Sequence, residues 1–431
     1  MLQTLRNAFK TPDIRRKLLF TIFILIIYRF GAIVPVPYVS SDVLSNLMAQ
    51  GEGSIFQYLN ILSGDAFSKA TLFALSISPY ITASIVMQLL CIAIPALEKI
   101  SKDGEEGQKK INQITRYVTC GLGLITAYGY YMYMRNYDCL TDEGVFAAFV
   151  IIACYGAGAA LVMWLAEKIN DKGIGNGISL ILFVNIVSSG PTIVGMLISY
   201  ITSSDYRSWG TVIAEAIVII GLAIIIFDVW VTNSERRIPV QYAKRVVGRK
   251  QYGGQATYLP LKLNMSGVMP IIFAQSIVSL PSTIALLFPT PSEGTFWYKF
   301  QQFFSYTSWF YALMFFILII AFGYFYIAIS FNPVEVANNL KQNGGFVPGI
   351  RPGRPTAEYI TKILNRVTLI GSLFLDIVAV FPLIVNIATG SSLGSVAFGG
   401  SSLLIVVGVA LEEFREIEAQ MTMRHYKGFL E

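Results

Sequence analysis

The chain has 431 residues, 54% of them hydrophobic and only 13% charged, with a mean hydropathy of +0.59 and a formal net charge of +6. A water-soluble globule carries nearly twice that charged fraction, so the composition excludes one and reads as a polytopic membrane protein. Cys91, Cys120, Cys139 and Cys154 lack metal-ligand spacing, and three of them fall in apolar runs, which argues against a disulfide framework or a metal site.

At the N-terminus, Arg15-Arg16-Lys17 precedes about 17 apolar residues, and Pro35-Val36-Pro37 follows instead of a small-residue cleavage site, so the first span is expected to be retained. Arg29, near its outer end, is expected to snorkel to the interface. Residues 53–70 read as a half-polar aromatic helix too short to cross roughly 30 Å of hydrocarbon. Ser63-Gly64 joins it to a membrane-length helix over 70–94 that carries Ser76, Ser78, Pro79, Thr82, Ser84 and Gln88. Hydroxyls and an amide at such depth predict a protein-lined or water-lined face.

With windows at 18–34 and 70–94, the apolar runs at 117–134, 145–165, 178–198, 212–232, 266–288, 309–331, 367–388 and 401–415 make ten spans. Of 32 Lys and Arg, 27 lie in one set of loops and three (Arg135, Arg207, Lys299) in the alternate set, which puts the basic loops and both termini in the cytoplasm. Ten spans divide as five plus five at the apolar loop 190–211, giving halves 1–200 and 201–431 of inverted topology.

Two cytoplasmic loops exceed simple connectors. In 233–264, alternating segments flank Gly248-Arg249-Lys250 and predict a β-hairpin with a basic tip. In 332–366, Asn332-Pro333 ends a span, 334–343 reads as a short amphipathic helix, and Pro and Gly stiffen a loop that presents Arg351 and Arg354. Gly173-Ile174-Gly175-Asn176-Gly177 follows no strand, so it reads as a tight turn into the fifth span instead of a phosphate loop. Lys109-Lys110 with Arg116 read as a positive-inside anchor, and His425 has no partner by spacing. Asp376, near the middle of the ninth span, has three open readings: facing pore water, pairing with a partner subunit's basic residue, or lying shallower than the window implies.

Six stretches in order then carry a resemblance along essentially the whole chain: Pro79-Tyr80-Ile81-Thr82-Ala83-Ser84-Ile85, Gly104-Glu105-Glu106-Gly107, Gly173 to Ser179, Tyr242-Ala243-Lys244-Arg245, Leu259-Pro260-Leu261-Lys262, and Phe346-Val347-Pro348-Gly349-Ile350-Arg351-Pro352-Gly353. The chain resembles the SecY family of channel subunits of the bacterial Sec translocase. That resemblance implies an all-α membrane protein of ten transmembrane helices, in two inverted five-helix halves around a central pore that opens sideways between spans two, three, seven and eight. It implies a pore ring at Ile77, Ile81, Ile186, Ile272 and Ile405. A plug over about 55–68 would comprise Ile55, Phe56, Tyr58, Leu59, Ile61, Leu62, Gly64 and Phe67, hinged at Ser63-Gly64. The lateral gate would hold Ser76, Thr82, Gln88 and Gln275, closing by interhelical hydrogen bonds. Docking of the motor ATPase SecA or the ribosome falls on Arg249, Lys250, Arg351 and Arg354. The implied partners are SecE, optionally SecG, signal peptides, nascent chains and the lipid bilayer of the bacterial cytoplasmic membrane, with no cofactor.

The function expected is passive conduction of unfolded secretory chains across the membrane and lateral release of signal and anchor helices. No Gly-x-x-x-x-Gly-Lys-Ser/Thr loop is present to bind nucleotide. An ion-coupled secondary transporter is the alternative, and it requires a midplane cluster of coordinating groups where the sequence offers Asp376 alone. An intramembrane protease lacks the parts, because the lone histidine is in the tail and Asp376 has no second intramembrane aspartate.

Overall fold

The computed structural model describes residues 6, 8–50, 60, 63–202, 210–242, 245–247, 250–252, 256–285, 296–305, 308–389 and 399–427. The chain is predominantly helical, and each of the ten apolar windows overlaps a helix. Helix α1 (Pro12–Gly31) opens on a proline whose missing N–H would have no helical partner anyway, with Asp13 in its first turn. Helix α2 (Ser41–Gln50) leads to the undescribed stretch 51–59.

The 70–94 window is only partly helical. Residues 64–77 run as consecutive turns, and helix α3 (Ser78–Ala93) begins at Ser78. Pro79 sits in its first turn, and Ser76, two residues before the helix, has a left-handed φ of +51° that ends any upstream helix. Beyond Ile94 the chain turns by 103° into α4 (Pro95–Lys102). The window looked continuous because the turn residues are themselves apolar: Ala66, Phe67, Ala70, Phe73 and Ala74 are buried.

Helices α5 (Gly104–Asn136) and α6 (Val145–Lys172) pair along their length, and Arg116 donates to Glu167 at 2.7 Å. That hydrogen bond raises the pKa of the Arg116 guanidinium above its usual value, so Arg116 is a tie between helices as well as an anchor. The fifth window is split into α7 (Gly177–Ser188) and α8 (Gly190–Thr202), with Pro191 at the break. Much of the loop foreseen at 190–211 is therefore helix.

Helices α9 (Gly210–Asn233), α10 (Met269–Ala285), α11 (Phe296–Phe303), α12 (Trp309–Ser330), α14 (Arg354–Thr389) and α15 (Gly399–Lys427) make up most of the remainder, with the short α13 (Pro333–Gln342) between α12 and α14. Among the described residues, α6, α9, α12 and α14 are long and apolar enough to cross a membrane, as is the α3–α4 pair if counted as one bent span.

The loop 233–264 forms the expected hairpin: β1 (Glu235–Tyr242) pairs antiparallel with β4 (Ala256–Lys262), and β2 (Arg245–Val247) with β3 (Lys250–Tyr252) nearer the tip. Alternation decides the register, since Ile238, Val240 and Leu261 turn inward while Arg237 stacks over Tyr258 at 4.7 Å. Less foreseeable was β5 (Gly345–Phe346), which joins β1 and ties the second loop to the first. Ile238, Leu261, Val347 and Ile360 form one small core beneath this three-stranded sheet.

Candidate functional site

One large cluster of buried apolar side chains runs through the middle of the molecule, and all five candidate ring isoleucines belong to it. Ile77 caps the start of α3, Ile81 lies one turn later, and Ile186, Ile272 and Ile405 come from α7, α10 and α15. None is more than 7% exposed. Ile81, Ile272 and Ile405 line a common cavity with Phe67, Leu182 and a row of small polar groups. β-Branched side chains are stiff at χ1, so a collar of them keeps its shape without presenting a hydrogen-bonding group.

The polar groups come mainly from the start of α3 and from α10, with Thr126 and Tyr130 added by α5. Ser76 and Ser78 approach the cavity from the start of α3, and Gln275, Ser276, Ser279 and Thr283 from α10. Several hydrogen bonds tie the candidate gate residues to their neighbours. Ser76 Oγ accepts from Asn185 Nδ2 at 3.0 Å and lies 3.4 Å from the Tyr28 hydroxyl. Gln275 Nε2 donates to the Tyr311 hydroxyl at 2.7 Å, linking α10 to α12. Gln88 is exposed and meets Ser84 of its own helix at 3.5 Å, and Thr82 is half-buried. Polar side chains of both α3 and α10 face the same cavity.

Of the candidate plug residues, Ile55, Phe56, Tyr58, Leu59, Ile61 and Leu62 lie outside the described residues. Gly64 and Phe67 are described, and the segment around them is held tightly. Asn60 Oδ1 accepts from the Ser68 amide at 2.8 Å, and Asp65 accepts from Asn60 Nδ2 at 3.0 Å through one carboxylate oxygen and from Thr192 at 3.2 Å through the other. The Phe67 ring packs on Tyr130 with centroids 4.4 Å apart, and the Tyr130 hydroxyl donates to the Phe67 carbonyl. Phe73 stacks on Tyr28 and occupies the space left by Gly31, where a Cβ would lie 2.2 Å from its ring. Tyr28, Tyr130 and Asn185 are thus site residues that reading by motif missed. The available signal was an asparagine immediately before Ile186 and tyrosines recurring along 128–137.

Arg29 does not snorkel freely: its Nη1 donates to the Gly64 carbonyl at 3.1 Å. Asp376 is 1% exposed, and among the described residues neither of its carboxylate oxygens has a hydrogen-bond partner, so it is enclosed by protein instead of facing open water. The glycine-rich stretch forms the expected turn into α7, with Gly175 at φ +80°. Its Asn176 caps that helix by accepting from the Ile178 amide at 3.0 Å, and Glu413 of α15 accepts the Asn176 N–H at 3.1 Å.

In the second long loop, Arg351 is exposed and Arg354, 90% exposed, lies 3.2 Å from Glu358. Gly349 (φ +83°) and Gly353 (φ +103°) set the turns that present them. Arg249 lies outside the described residues, and Lys250 begins strand β3.

A family model described as SecY matches residues 71–414. A protein translocase subunit SecY from Streptomyces galbus is 42% identical over 443 residues, and one from Mycobacterium bovis is 42% identical over 450, each alignment covering 100% of both chains. Among solved structures, a protein-conducting channel matches with a TM-score of 0.68 at 16% identity, covering 94% of this chain and 92% of that one. Sec61 from a canine ribosome–channel complex matches with a TM-score of 0.63 at 16% identity, with the same coverage. At such identities the structural likeness is one of fold.

Proposed function

The chain belongs to the SecY family of protein translocase subunits, and on that premise we propose how its residues conduct a polypeptide. It is a multi-pass membrane protein and a protein-conducting channel, from a family of channels and not of enzymes. The comparisons lend no support to the ion-coupled carrier considered as the alternative. Our reading is that ten spans form two inverted halves, 1–200 and 201–431, with both termini in the cytoplasm and the chain in the bacterial cytoplasmic membrane. The charge distribution, 27 of 32 basic residues in one set of loops, supports that orientation.

The observation that carries the mechanism is the convergence of Ile77, Ile81, Ile186, Ile272 and Ile405, remote in sequence, on one buried cluster. We assign them to a ring that stays dry at rest, since a constriction without polar groups wets poorly and excludes ions. A translocating chain parts it sideways and meets no hydrogen-bonding group to arrest it. The segment 55–68 acts as the plug, and Ser76, Thr82, Gln88 and Gln275 contribute to the lateral gate. The gate closes by interhelical hydrogen bonds that an incoming signal helix replaces, and the cavity lined by polar groups of α3 and α10 supports its entry there.

Arg351 and Arg354, with Arg249 and Lys250 at the hairpin tip, form the cytoplasmic docking surface for SecA or the ribosome, and SecE and optionally SecG complete the channel. Among the matched structures, Sec61 and the yeast Ssh1 complex were solved on ribosomes, which supports a ribosome as one partner. The β1–β5 pairing supports a single surface, because it fixes both loops to one sheet.

Deleting residues 56–67 tests the plug. The purified channel should then show a resting ion leak about tenfold above wild type in planar bilayers, the effect of removing roughly 1.4 kcal/mol from the closed state. An unchanged leak would return the segment to an interfacial role.

A further inference from the structure

Arg29 and the glycine it touches make an arrangement that the channel mechanism has not used. Gly64 is wedged between α1 and α7: a Cβ there would meet Ser188 Oγ at 2.5 Å, Asn185 Cα at 3.1 Å and Arg29 Nη1 at 3.1 Å. Its φ is +64°, and Asp65, which follows, has φ +66° although it is not glycine. Consecutive left-handed residues are sparsely populated and persist only where the surroundings hold them. From inside the segment they are held by Asn60, Ser63 and Ser68, whose side chains bond to neighbouring backbone and to Asp65. From outside they are held by Thr192 on Asp65 and by Arg29, which donates to the Gly64 carbonyl at 3.1 Å. The internal bonds travel with the segment when it moves, so its leaving is resisted by the external ones, to which Tyr130 adds its ring packing on Phe67 and its hydroxyl on the Phe67 carbonyl.

We propose that Arg29 is the positioning residue that keeps the plug seated, with its guanidinium pinning the Gly64 carbonyl against the junction of α7 and α8. This rests on the assignment of 55–68 as the plug. A guanidinium within a span needs an acceptor, and a hydrogen bond to a charged donor is stronger than a neutral one. The same contact therefore serves both partners: it satisfies a half-buried cation and it biases a strained turn toward one of two positions. Asn185 lies against Gly64 and also bonds Ser76 beside the ring isoleucine Ile77, so a displaced hinge is felt at the ring through a single side chain.

The test compares resting ion conductance of the purified complex in planar bilayers for Arg29→Ala and Arg29→Lys, each with the plug intact and with 56–67 deleted. With the plug intact, Arg29→Ala should raise the leak about tenfold, the effect of losing one charge-assisted hydrogen bond. Arg29→Lys, still able to donate to a carbonyl, should return most of the closure. In the plug-deleted channel Arg29→Ala should add nothing, because the acceptor is gone. Gly64→Ala, whose methyl would strike Ser188, should leak similarly with Arg29 in place, which keeps the proposal testable if the Arg29 variants assemble poorly. An unchanged leak for Arg29→Ala, or an equal further rise in the plug-deleted channel, overturns the proposal and makes Arg29 a packing residue of α1. If the deletion alone causes no leak, the plug assignment itself fails, and the proposal with it.

Discussion

Serine at Ile81, Ile272 and Ile405 together should raise the resting ion conductance of the purified channel by about two orders of magnitude, with assembly in detergent unchanged. These three side chains come from α3, α10 and α15 and line one cavity. Each exchange forfeits roughly 1 kcal/mol or more of water exclusion, and roughly 3 kcal/mol in total corresponds to about a hundredfold in the wetted fraction. Valine at the same three positions keeps the β-branch and the dryness and should leave conductance near wild type. That pair of results separates wetting from loss of packing volume, since valine also removes volume.

Arg351→Glu should lower export driven by the cytoplasmic motor about a hundredfold, with the resting leak and the amount of assembled channel unchanged. Reversing one member of a close interfacial charge pair typically forfeits 2 to 5 kcal/mol, roughly 30- to 4000-fold. Arg351→Lys retains the charge and loses the planar fork, so an intermediate loss is expected if the partner offers a carboxylate or phosphate. Arg354→Gln should be milder, because Arg354 is already beside Glu358 and almost fully in water. Export by reconstituted vesicles under each variant measures all three, and normal export by Arg351→Glu would remove the residue from the docking surface.

How far these residues were legible in the sequence depended on how local their causes are. The hairpin 235–262 could be read because period-two alternation is a short-range signal, and Ile238, Val240 and Leu261 turned inward as that alternation requires. Asn332 and Pro333 marked the start of α13 in the same way: the asparagine accepts from the Val334 amide at 3.2 Å, a contact between neighbours. The unwound stretch 64–77 was not legible, since burial of Phe67, Ala70 and Phe73 gives it the hydropathy of a span while Tyr130, Tyr155 and Asn185, distant in sequence, satisfy its backbone and hydroxyls.

The pairing of β5 with β1 brings together residues about a hundred positions apart and leaves no periodic trace. Arg29 failed for the same reason: snorkelling is the local expectation for a cation near a helix end, and the acceptor that defeats it is 35 residues away. Within the ring, a single isoleucine in a membrane helix carries no signal of its own. The five became candidates through motif resemblance, and their shared cluster is a property of the packed helices.

The central claim, that a polypeptide passes through the isoleucine ring, is tested most directly by crosslinking. A single cysteine is placed at each of positions 77, 81, 186, 272 and 405 in turn, in a channel whose native cysteines are replaced, and a secretory chain carrying one cysteine is arrested midway. Disulfides should form from several ring positions to the same short stretch of the arrested chain, and positions on the lipid-facing side of α9, such as Ile219 and Ile226, should give none. Absence of crosslinks at all five ring positions, with an arrested chain present, would contradict the account.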